Sequence, residues 1–556
     1  MASIGIDLGT TATVLAQAFA GFDTDAVEAQ IVKTRQKKWV GSETSESEFD
    51  YLPSFAYFPK SGEELVGVEA KSLGPHRYEL HRCVRAVKRL MGRSFILPDP
   101  VNRTPEQISS LYLEFLLAAA HKAGILSGDD ELTVTVPASF TTNQRRDTML
   151  ALETAASNVG LSLPKTKLGK ILISEPVAAL LAYLADDLRK AESLRKFNLD
   201  RNPIVLVYDM GGGTLDLTLV RLSWQNRSQP KMLGNVRFEV HELNRYNQFA
   251  GEDFDRLVAQ KILLRLLEVQ RGLAELDLTE REGQYLRLHL IEEAERLKID
   301  LNAEIEWSGD DALINFNLRP ARLRETDYPL VSWDISANDY LSWTESFLAF
   351  REDMQNAVYP VEDLLRKAML HQRDIDYFLL VGGMARFLPL QSALKNFWGR
   401  HDTFLVHPLP EHAVALGAAV YSYLKLNHDN FMIDEPSADA YYVRRSKGFG
   451  LLLGRGSHAQ GEKEVYELQG EGDKLRLQIF AGEPVPAAGS LESIYSSLVY
   501  QGSALIPLGR SYPKGTKVWI QMSYREDDNS KVPFLDVWVD QEQNLVASLS
   551  YAELAS

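Results

Sequence analysis

Residues 4–16 read IGIDLGTTATVLA and residues 207–220 read VYDMGGGTLDLTLV, and the two stretches share one layout. In each, a β-branched strand ends at an aspartate, Asp7 or Asp209, and a glycine turn with threonine leads into a second strand. Glycines let a backbone approach phosphate oxygens closely, and a threonine hydroxyl adds a donor. A carboxylate at a strand end is suited to holding the water ligands of Mg²⁺. The repeated layout predicts two facing hairpins that grip a triphosphate and its metal from both sides.

One such hairpin alone is weak evidence, because an aspartate beside a glycine also caps ordinary turns. The second copy favours phosphate binding over that explanation. The chain has no G-x-x-x-x-G-K-[ST] loop, and GFGLLLG at 448–454 does not fit the spacing of a dinucleotide-binding loop.

Composition and charge exclude several classes of protein. The chain has 556 residues, of which 45% are hydrophobic and 24% charged, as in a globular protein of several domains. A net charge of −16 argues against a nucleic-acid binder. The single cysteine, Cys83, excludes an internal disulfide, and we interpret it as a small buried apolar residue. We see no signal peptide and no apolar run that would span a membrane, and we expect a cytoplasmic protein.

The pattern of elements divides the chain into three parts. Residues 1–425 alternate strands and helices, and Thr104, Pro105 and Gln107 mark a capped helix start. The polar stretch 36–50 predicts a loop, and the period near 3.6 over 252–300 predicts helix. Residues 426–439 are predicted to be a linker. From 440 to 556, period-two segments such as KVWIQMSY at 517–524 predict a small antiparallel β sandwich.

Further segments show a family resemblance. AVKRLMGRSF (86–95), VTVPASFTTNQRRDT (134–148), ISEPVAALLAY (173–183), GEDFD (251–255), PVEDLLRKAML (360–370) and LLVGGMARFLPL (379–390) resemble, in order, the seventy-kilodalton heat-shock chaperones (heat shock protein 70). The resemblance covers residues 3 to 425 and is faint beyond them. It implies a two-lobed, actin-like (ribonuclease H-like) α/β ATPase domain and a chaperone that uses ATP and ADP with Mg²⁺, with K⁺ as a further ion.

The resemblance also implies roles at the phosphate end of the site. Asp7 and Asp209 would hold Mg²⁺ through water, and Lys88 would point at the terminal phosphate. The implied catalytic residues are Lys88, Glu175, Asp209, Thr214 and Asp216. The implied phosphate-binding residues are Gly9, Thr10, Thr11, Gly211, Gly212, Gly213, Gly251 and Glu252. Read alone, Lys88 is a solvated charge and Glu175 a residue at a helix start, and only the surrounding motifs favour catalysis.

At the nucleoside end, Arg386 would stack on the purine. The other residues implied there are Glu295, Lys298, Asn302, Gly382, Gly383, Met384 and Glu411, although a Glu-Lys pair three residues apart is often only a surface pair. Pro137 and Arg145 would couple nucleotide state to a second domain. Four positions depart from the family pattern: Met384 and Asn302 stand in place of serine, Glu411 of aspartate and Ala250 of glycine. We expect weaker nucleotide binding or an altered base preference.

The family's substrate domain carries a helical lid, and no such stretch follows residue 550, so we expect a lidless member. Expected partners are unfolded polypeptide or a dedicated protein, with a co-chaperone or nucleotide-exchange factor, and neither nucleic acid nor membrane. A rival hypothesis is a nucleotide-sensing scaffold with negligible hydrolysis that recruits one partner. A small-molecule kinase or filament-forming actin relative would share only the two hairpins.

Overall fold

The computed structural model describes residues 2–550 apart from 22–25, 41–42, 77–78, 93–95, 129, 163–170, 229–230, 247–248, 270–277, 320–321, 324–325, 328–330, 349–355, 429–430, 435–439, 446–448, 455–462, 483–497, 528–529 and 540–543. None of the helices in these ranges is long and apolar enough to cross a bilayer.

The first sheet grows from the N-terminal hairpin. Its order is β11-β10-β1-β2-β3, with β6 also on β2. The strands up to residue 174 are β1 (Ser3–Leu8), β2 (Ala12–Ala20), β3 (Val27–Ile31), β4 (Thr34–Val40), β5 (Glu43–Phe49), β6 (Leu52–Pro53), β7 (Phe55–Tyr57), β8 (Leu65–Val66), β9 (Cys83–Arg85), β10 (Glu131–Val136) and β11 (Leu172–Ser174). The helices are α1 (Gly67–His76), α2 (Pro105–Lys122), α3 (Thr142–Val159) and α4 (Glu175–Leu188). The predicted capping box at Thr104 and Gln107 is confirmed at the start of α2.

The loop predicted over residues 36–50 is wrong. This stretch forms most of the hairpin β4-β5. The buried side chains of β4 include Thr34 and Gln36, so its inner face is polar and lacks the apolar alternation of an ordinary strand. The Gln36 amide compensates by donating to the Tyr51 carbonyl at 2.7 Å and accepting from the Val68 amide at 3.1 Å.

The second sheet has the order β20-β19-β12-β13-β14-β21. Its strands and those beside it are β12 (Ile204–Met210), β13 (Leu215–Trp224), β14 (Val236–Tyr246), β15 (Leu313–Leu318), β16 (Arg322–Leu323), β17 (Thr326–Asp327), β18 (Val331–Ser336), β19 (Tyr377–Val381), β20 (Phe404–Val406) and β21 (Met432–Asp434). The helices are α5 (Gly251–Val269), α6 (Glu280–Ser308), α7 (Ala337–Leu348), α8 (Tyr359–Lys367), α9 (Leu388–Trp398) and α10 (Ala413–Asn427). Within the described residues, the helix predicted over 252–300 is confirmed at 252–269 by α5 and at 280–300 by α6.

The two sheets repeat one topology. In each, an antiparallel hairpin (β1-β2 or β12-β13) is extended by two parallel strands on the side of its first strand (β10 and β11, or β19 and β20). A helix follows the last strand, α4 in one copy and α10 in the other. α4 and α10 pack on each other between the sheets, where Val177, Leu181, Val414 and Ala418 belong to one apolar core. The glycine turn of each hairpin therefore occupies the same place in each copy.

Part of the predicted linker 426–439 belongs to this architecture. α10 continues to Asn427, and β21 pairs in parallel with β14 at the edge of the second sheet. Residues 435–439 lie outside the described ranges. The strand that follows α10 also contacts β28 of the C-terminal sheets.

The C-terminal residues form two four-stranded antiparallel sheets, β23-β22-β25-β26 and β24-β27-β28-β29. Apolar side chains of both, such as Val443 and Ile479 from one and Ile520 and Val537 from the other, share one core. The strands are β22 (Ala440–Arg444), β23 (Phe449–Leu453), β24 (Glu464–Glu467), β25 (Gly472–Gly482), β26 (Leu498–Tyr512), β27 (Lys517–Asp527), β28 (Ser530–Val539) and β29 (Asn544–Ser550).

The contact between α4 and α10 yields a stability prediction. A Cβ built on Gly417 of α10 would overlap the Ala178 carbonyl of α4. A flexible side chain could change its rotamer to relieve such an overlap, but a helix carbonyl group is fixed in the backbone. We expect Gly417→Ala to reduce the free energy of unfolding by about 1–3 kcal/mol or more, because the helices must separate. The control is Gly283→Ala in α6, where a Cβ would meet none of the described residues within 4 Å. This substitution should stabilise the helix by about 0.5–1 kcal/mol, because alanine has the higher helix propensity. Thermal unfolding measures both, and equal melting temperatures for the two variants would contradict the close helix contact.

Candidate functional site

The two glycine turns lie face to face. The first turn comprises Gly9, Thr10 and Thr11, and the second comprises Gly211 to Thr214. A Cβ atom built on Gly212 would overlap the Thr11 side chain, and one built on Gly213 would overlap Thr10. Glycine at these positions allows the turns to approach this closely.

The second turn is fixed by the start of α5. The amides of Gly251 and Glu252 donate to the carbonyl oxygens of Gly211 and Gly212 at 3.0 and 2.8 Å. Sequence analysis assigned Gly251 and Glu252 to phosphate binding. Their backbone amides support the second turn, because its carbonyl groups point at the first turn of the helix, and their contact with phosphate stays a prediction.

Acidic side chains from both sheets converge on one lysine beside the turns. Lys88 forms a buried ion pair with Glu175, the first residue of α4. Asp7 is the penultimate residue of β1, and Asp209 and Asp216 lie opposite each other in the β12-β13 hairpin. The topology thus brings the carboxylates of Asp7, Glu175 and Asp209 close to one ammonium group, with Asp216 beside Asp209.

The same crowding shifts the proton affinities of the aspartates. Burial raises the pKa of Asp7 to about 6, with Lys88 acting against the rise and Glu175 adding to it. Burial also raises the pKa of Asp209 well above its ordinary value, and the negative charges of Glu175 and Asp216 push it further in the same direction. A bound cation would oppose both effects.

Hydroxyl groups from one segment hold two of these carboxylates. Thr135 of β10 donates to Asp7 Oδ1 at 2.9 Å, and Ser139, just after β10, donates to Asp216 Oδ1 at 3.2 Å. The bond from Ser139 joins the segment that follows β10 of the first sheet to β13 of the second sheet.

The turn that contains Ser139 is hydrogen-bonded to an arginine of α3. Arg145 donates from Nε to the Phe140 carbonyl at 3.2 Å and from Nη2 to the Ala138 carbonyl at 3.4 Å. The Pro137 carbonyl accepts from the Phe140 amide at 3.0 Å. The structure therefore brings Pro137 and Arg145 to one turn, which reaches Asp216 through Ser139.

The loop after β19 packs directly on the carboxylate cluster. Gly382 has φ of +84°, and a Cβ there would lie 2.5 Å from Asp209 Oδ1. At Gly383 beside it, none of the described residues lies within 4 Å of a Cβ position. The buried Met384 side chain fills the space at Gly251, where its Cγ would lie 3.1 Å from an added Cβ.

Several residues assigned to the nucleoside are already paired with protein groups. Arg386 forms a two-point ion pair with Glu411, at 2.8 and 2.6 Å. Asn302 donates to the Arg386 carbonyl at 3.1 Å and accepts from the Leu388 amide at 2.7 Å. A purine that stacks on Arg386 must therefore do so on a guanidinium held by a carboxylate.

Lys298 is paired as well. Its Nζ lies 2.8 Å from Asp255 Oδ1 and 3.0 Å from Oδ2, and both side chains are largely buried. Burial raises the pKa of Asp255 to about 6, Lys298 opposes the rise, and the charge of Glu295 adds to it. Glu295 and Lys298 thus belong to one electrostatic cluster.

Comparison with protein families agrees with this arrangement. The family model described as "Hsp70 protein" matches residues 3–430, about three quarters of the chain. The chain belongs to the Hsp70 family. Hsp70 proteins have an actin-like ATPase fold, bind ATP or ADP with Mg²⁺, and act as chaperones on unfolded polypeptides together with co-chaperones. The duplicated sheets and facing turns are the structural form of that fold in this chain.

The donor set of this Hsp70 chain fits Mg²⁺ held through water. Asp7, Asp209, Glu175 and Asp216 supply the oxygen acceptors that a hard cation or its hydration shell prefers. Within the described ranges, no three acidic, histidine or cysteine side chains come close enough to bind one metal ion directly. Water-mediated binding, which the resemblance implies for Asp7 and Asp209, is compatible with both observations.

Sequence analysis missed several polar residues of the Hsp70 site. Thr135 and Ser139 lie inside the quoted segment VTVPASF, and Arg89 directly follows Lys88. Ser54 donates to the Gly9 carbonyl at 2.7 Å and holds the first turn. Thr135 and Ser139 could have been found as hydroxyl residues within a recognised motif, whereas nothing in the sequence pointed to Ser54.

The Asp255–Lys298 pair yields a pH prediction for this Hsp70 chain. The folded-state pKa of Asp255, about 6, exceeds its ordinary value of 3.8, so the protonated form stabilises the fold. This contribution to the free energy of unfolding is fully present below pH 3.8. It is lost as the pH rises through 6, and the loss amounts to about 3 kcal/mol. The melting temperature of wild type should therefore fall relative to that of Asp255→Asn as the pH rises from 4 to 6.5. Above pH 6.5 the difference between the two melting temperatures should stay constant. Parallel profiles over the whole range would contradict the shift.

Proposed function

We propose that this chain is a Mg²⁺-dependent ATPase that slowly hydrolyses the terminal phosphate of ATP and couples this reaction to binding by its C-terminal β sheets. The observation that carries the proposal is the buried Lys88–Glu175 pair beside Asp7 and Asp209, where two glycine turns meet. Hydrolysis of the phosphoanhydride bond to the terminal phosphate of ATP depends on positioning and charge compensation, and this cluster supplies groups for both.

Each residue of the cluster has a distinct task. Mg²⁺, held through water by Asp7 and Asp209, would neutralise phosphate charge when bound. Asp209 accepts the proton of the attacking water, a task for which a raised pKa is suited. Lys88, oriented by Glu175, stabilises charge that develops on the phosphate oxygens. Thr10, Thr11 and Thr214, on the facing turns, donate hydroxyl groups to the same oxygens.

The route from the cluster to the rest of the molecule starts at Ser139. Its bond to Asp216 ties the cluster to the turn that Arg145 holds, so a change at Asp216 would reach α3 through the Ala138 and Phe140 carbonyl groups that Arg145 binds. A second route is β21, which pairs with β14 of the second sheet and contacts β28. A rotation between the two sheets would alter the Ser139–Asp216 contact directly, and β21 would move with the second sheet against β28. We propose that nucleotide state reaches the C-terminal sheets in this way.

The C-terminal sheets are the proposed binding unit. We propose that residues 1–425 form the ATPase domain and that 440–556 form a β domain that pairs with extended polypeptide or one dedicated protein partner. Among the described strands, β23, β24 and β29 lie at sheet edges, and an edge strand offers main-chain groups for such pairing.

A mutation of Lys88 tests the chemistry. With Mg²⁺ and ATP in excess, Lys88→Ala should lower the turnover number by about 100-fold or more, because a positioned charge on the transition state is lost. The control is Lys367→Ala, which removes a half-exposed lysine paired with Asp363 on α8 and should leave turnover unchanged. Steady-state phosphate release, with and without a denatured client protein, measures both variants. EDTA should abolish turnover in all of them.

Two results would count against the proposal. Equal turnover in wild type and Lys88→Ala would remove Lys88 from the chemistry. Tight ATP binding without turnover in wild type would favour the nucleotide-sensing scaffold over an ATPase.

A further inference from the structure

Arg89 reaches across to the second turn from the other side of the site. It lies on the 3-10 turn Val87–Leu90, directly after Lys88. Its Nη2 donates to the carbonyl oxygen of Gly213, in the turn that faces Thr10. An arginine from the first part of the chain is thus bound to the backbone of the second phosphate turn.

The donors of Arg89 are only partly used by this contact. Its Nη1 lies 3.5 Å from Glu252 and its Nη2 lies 4.0 Å from Asp253, both long for a charged hydrogen bond. Its Nε is buried and has no hydrogen-bond partner in the described part of the chain. A buried guanidinium donor without a partner costs free energy, which a bound acceptor would recover.

The nearby carboxylates do not require Arg89. Glu252 also pairs with Arg85 at 3.0 Å and with Arg256 at 3.4 Å, and Asp253 pairs with Arg256 at 3.2 Å. Three arginines therefore share two carboxylates at the start of α5, beside the second turn. Both carboxylates keep an arginine partner if the Arg89 side chain turns to a bound anion.

We propose that Arg89 is a second cationic ligand for the phosphates of the nucleotide, beside Lys88. When a triphosphate binds between the turns, the guanidinium exchanges the Gly213 carbonyl for an oxygen of the terminal phosphate. An anionic oxygen is a stronger acceptor than a carbonyl, and the planar fork of arginine matches phosphate geometry. Lys88 is committed to Glu175, so Arg89 is the less constrained of the two cations.

This assignment rests on the proposed function and adds a specificity to it. Because Arg89 would contact the terminal phosphate, its removal should weaken binding of a triphosphate more than that of a diphosphate. A purely structural role for Arg89 in holding the second turn would weaken both equally.

The test is calorimetric binding to the purified full chain with Mg²⁺. The ligands are ADP and a non-hydrolysable imido analogue of ATP, so that turnover does not interfere. For Arg89→Ala we expect a loss of about 10- to 100-fold in affinity for the analogue and at most a few-fold loss for ADP. Arg89→Lys keeps the charge without the fork and should recover part of the loss.

Arg256→Ala is the matched control, because Arg256 binds the same two carboxylates from α5 and the structure shows no contact of it with Gly213. It should bind both ligands within about twofold of wild type. Equal losses for analogue and ADP in Arg89→Ala, or an equal loss in Arg256→Ala, would overturn the assignment. Tighter analogue binding in Arg89→Ala would also overturn it, since Arg89 would then compete with the ligand. If wild type binds neither ligand, the proposed function itself fails.

Discussion

Four carboxylates and a single lysine form one charged cluster at the point where the two halves of the nucleotide fold meet. Asp7 and Glu175 come from the first sheet and the helix after it, and Asp209 and Asp216 come from the second hairpin. Lys88 neutralises only one of these charges, and burial raises the pKa of both Asp7 and Asp209. A protein keeps such uncompensated negative charge where a cation or a proton transfer is part of its function.

The duplicated topology explains why the charges meet. Each copy places an aspartate at the end of the first hairpin strand and a glycine turn directly after it. The helices that follow the last strands, α4 and α10, pack so closely that Gly417 lies against the Ala178 carbonyl. This contact sets the distance between the sheets, and the turns come face to face as a consequence. A change in the packing of α4 on α10 would therefore alter the site without touching a residue in it.

The sequence predicted those parts of the structure that are encoded locally. Both hairpins, the capped start of α2 and the long strands after residue 470 follow from short-range patterns. The hairpin β4-β5 was not predicted, because its buried Gln36 looks like a loop residue in the sequence. Its hydrogen-bond partners are backbone groups of Tyr51 and Val68, 15 and 32 residues along the chain. The pairs Asp255–Lys298 and Arg386–Glu411 join residues 43 and 25 positions apart, and no spacing rule links them. The same holds for β21, whose strand partner β14 lies almost 200 residues earlier. Motif resemblance named the residues at the centre of the site, but their partners emerged only from the tertiary structure.

Amide hydrogen exchange, with and without Mg²⁺-ATP, tests the central claim most directly. If the nucleotide phosphates lie between the facing turns, residues 9–11 and 211–214 should both exchange more slowly when Mg²⁺-ATP is present. The protection should disappear when EDTA removes the metal. Protection of only one turn, or of neither while ATP is bound, would contradict a two-sided phosphate site.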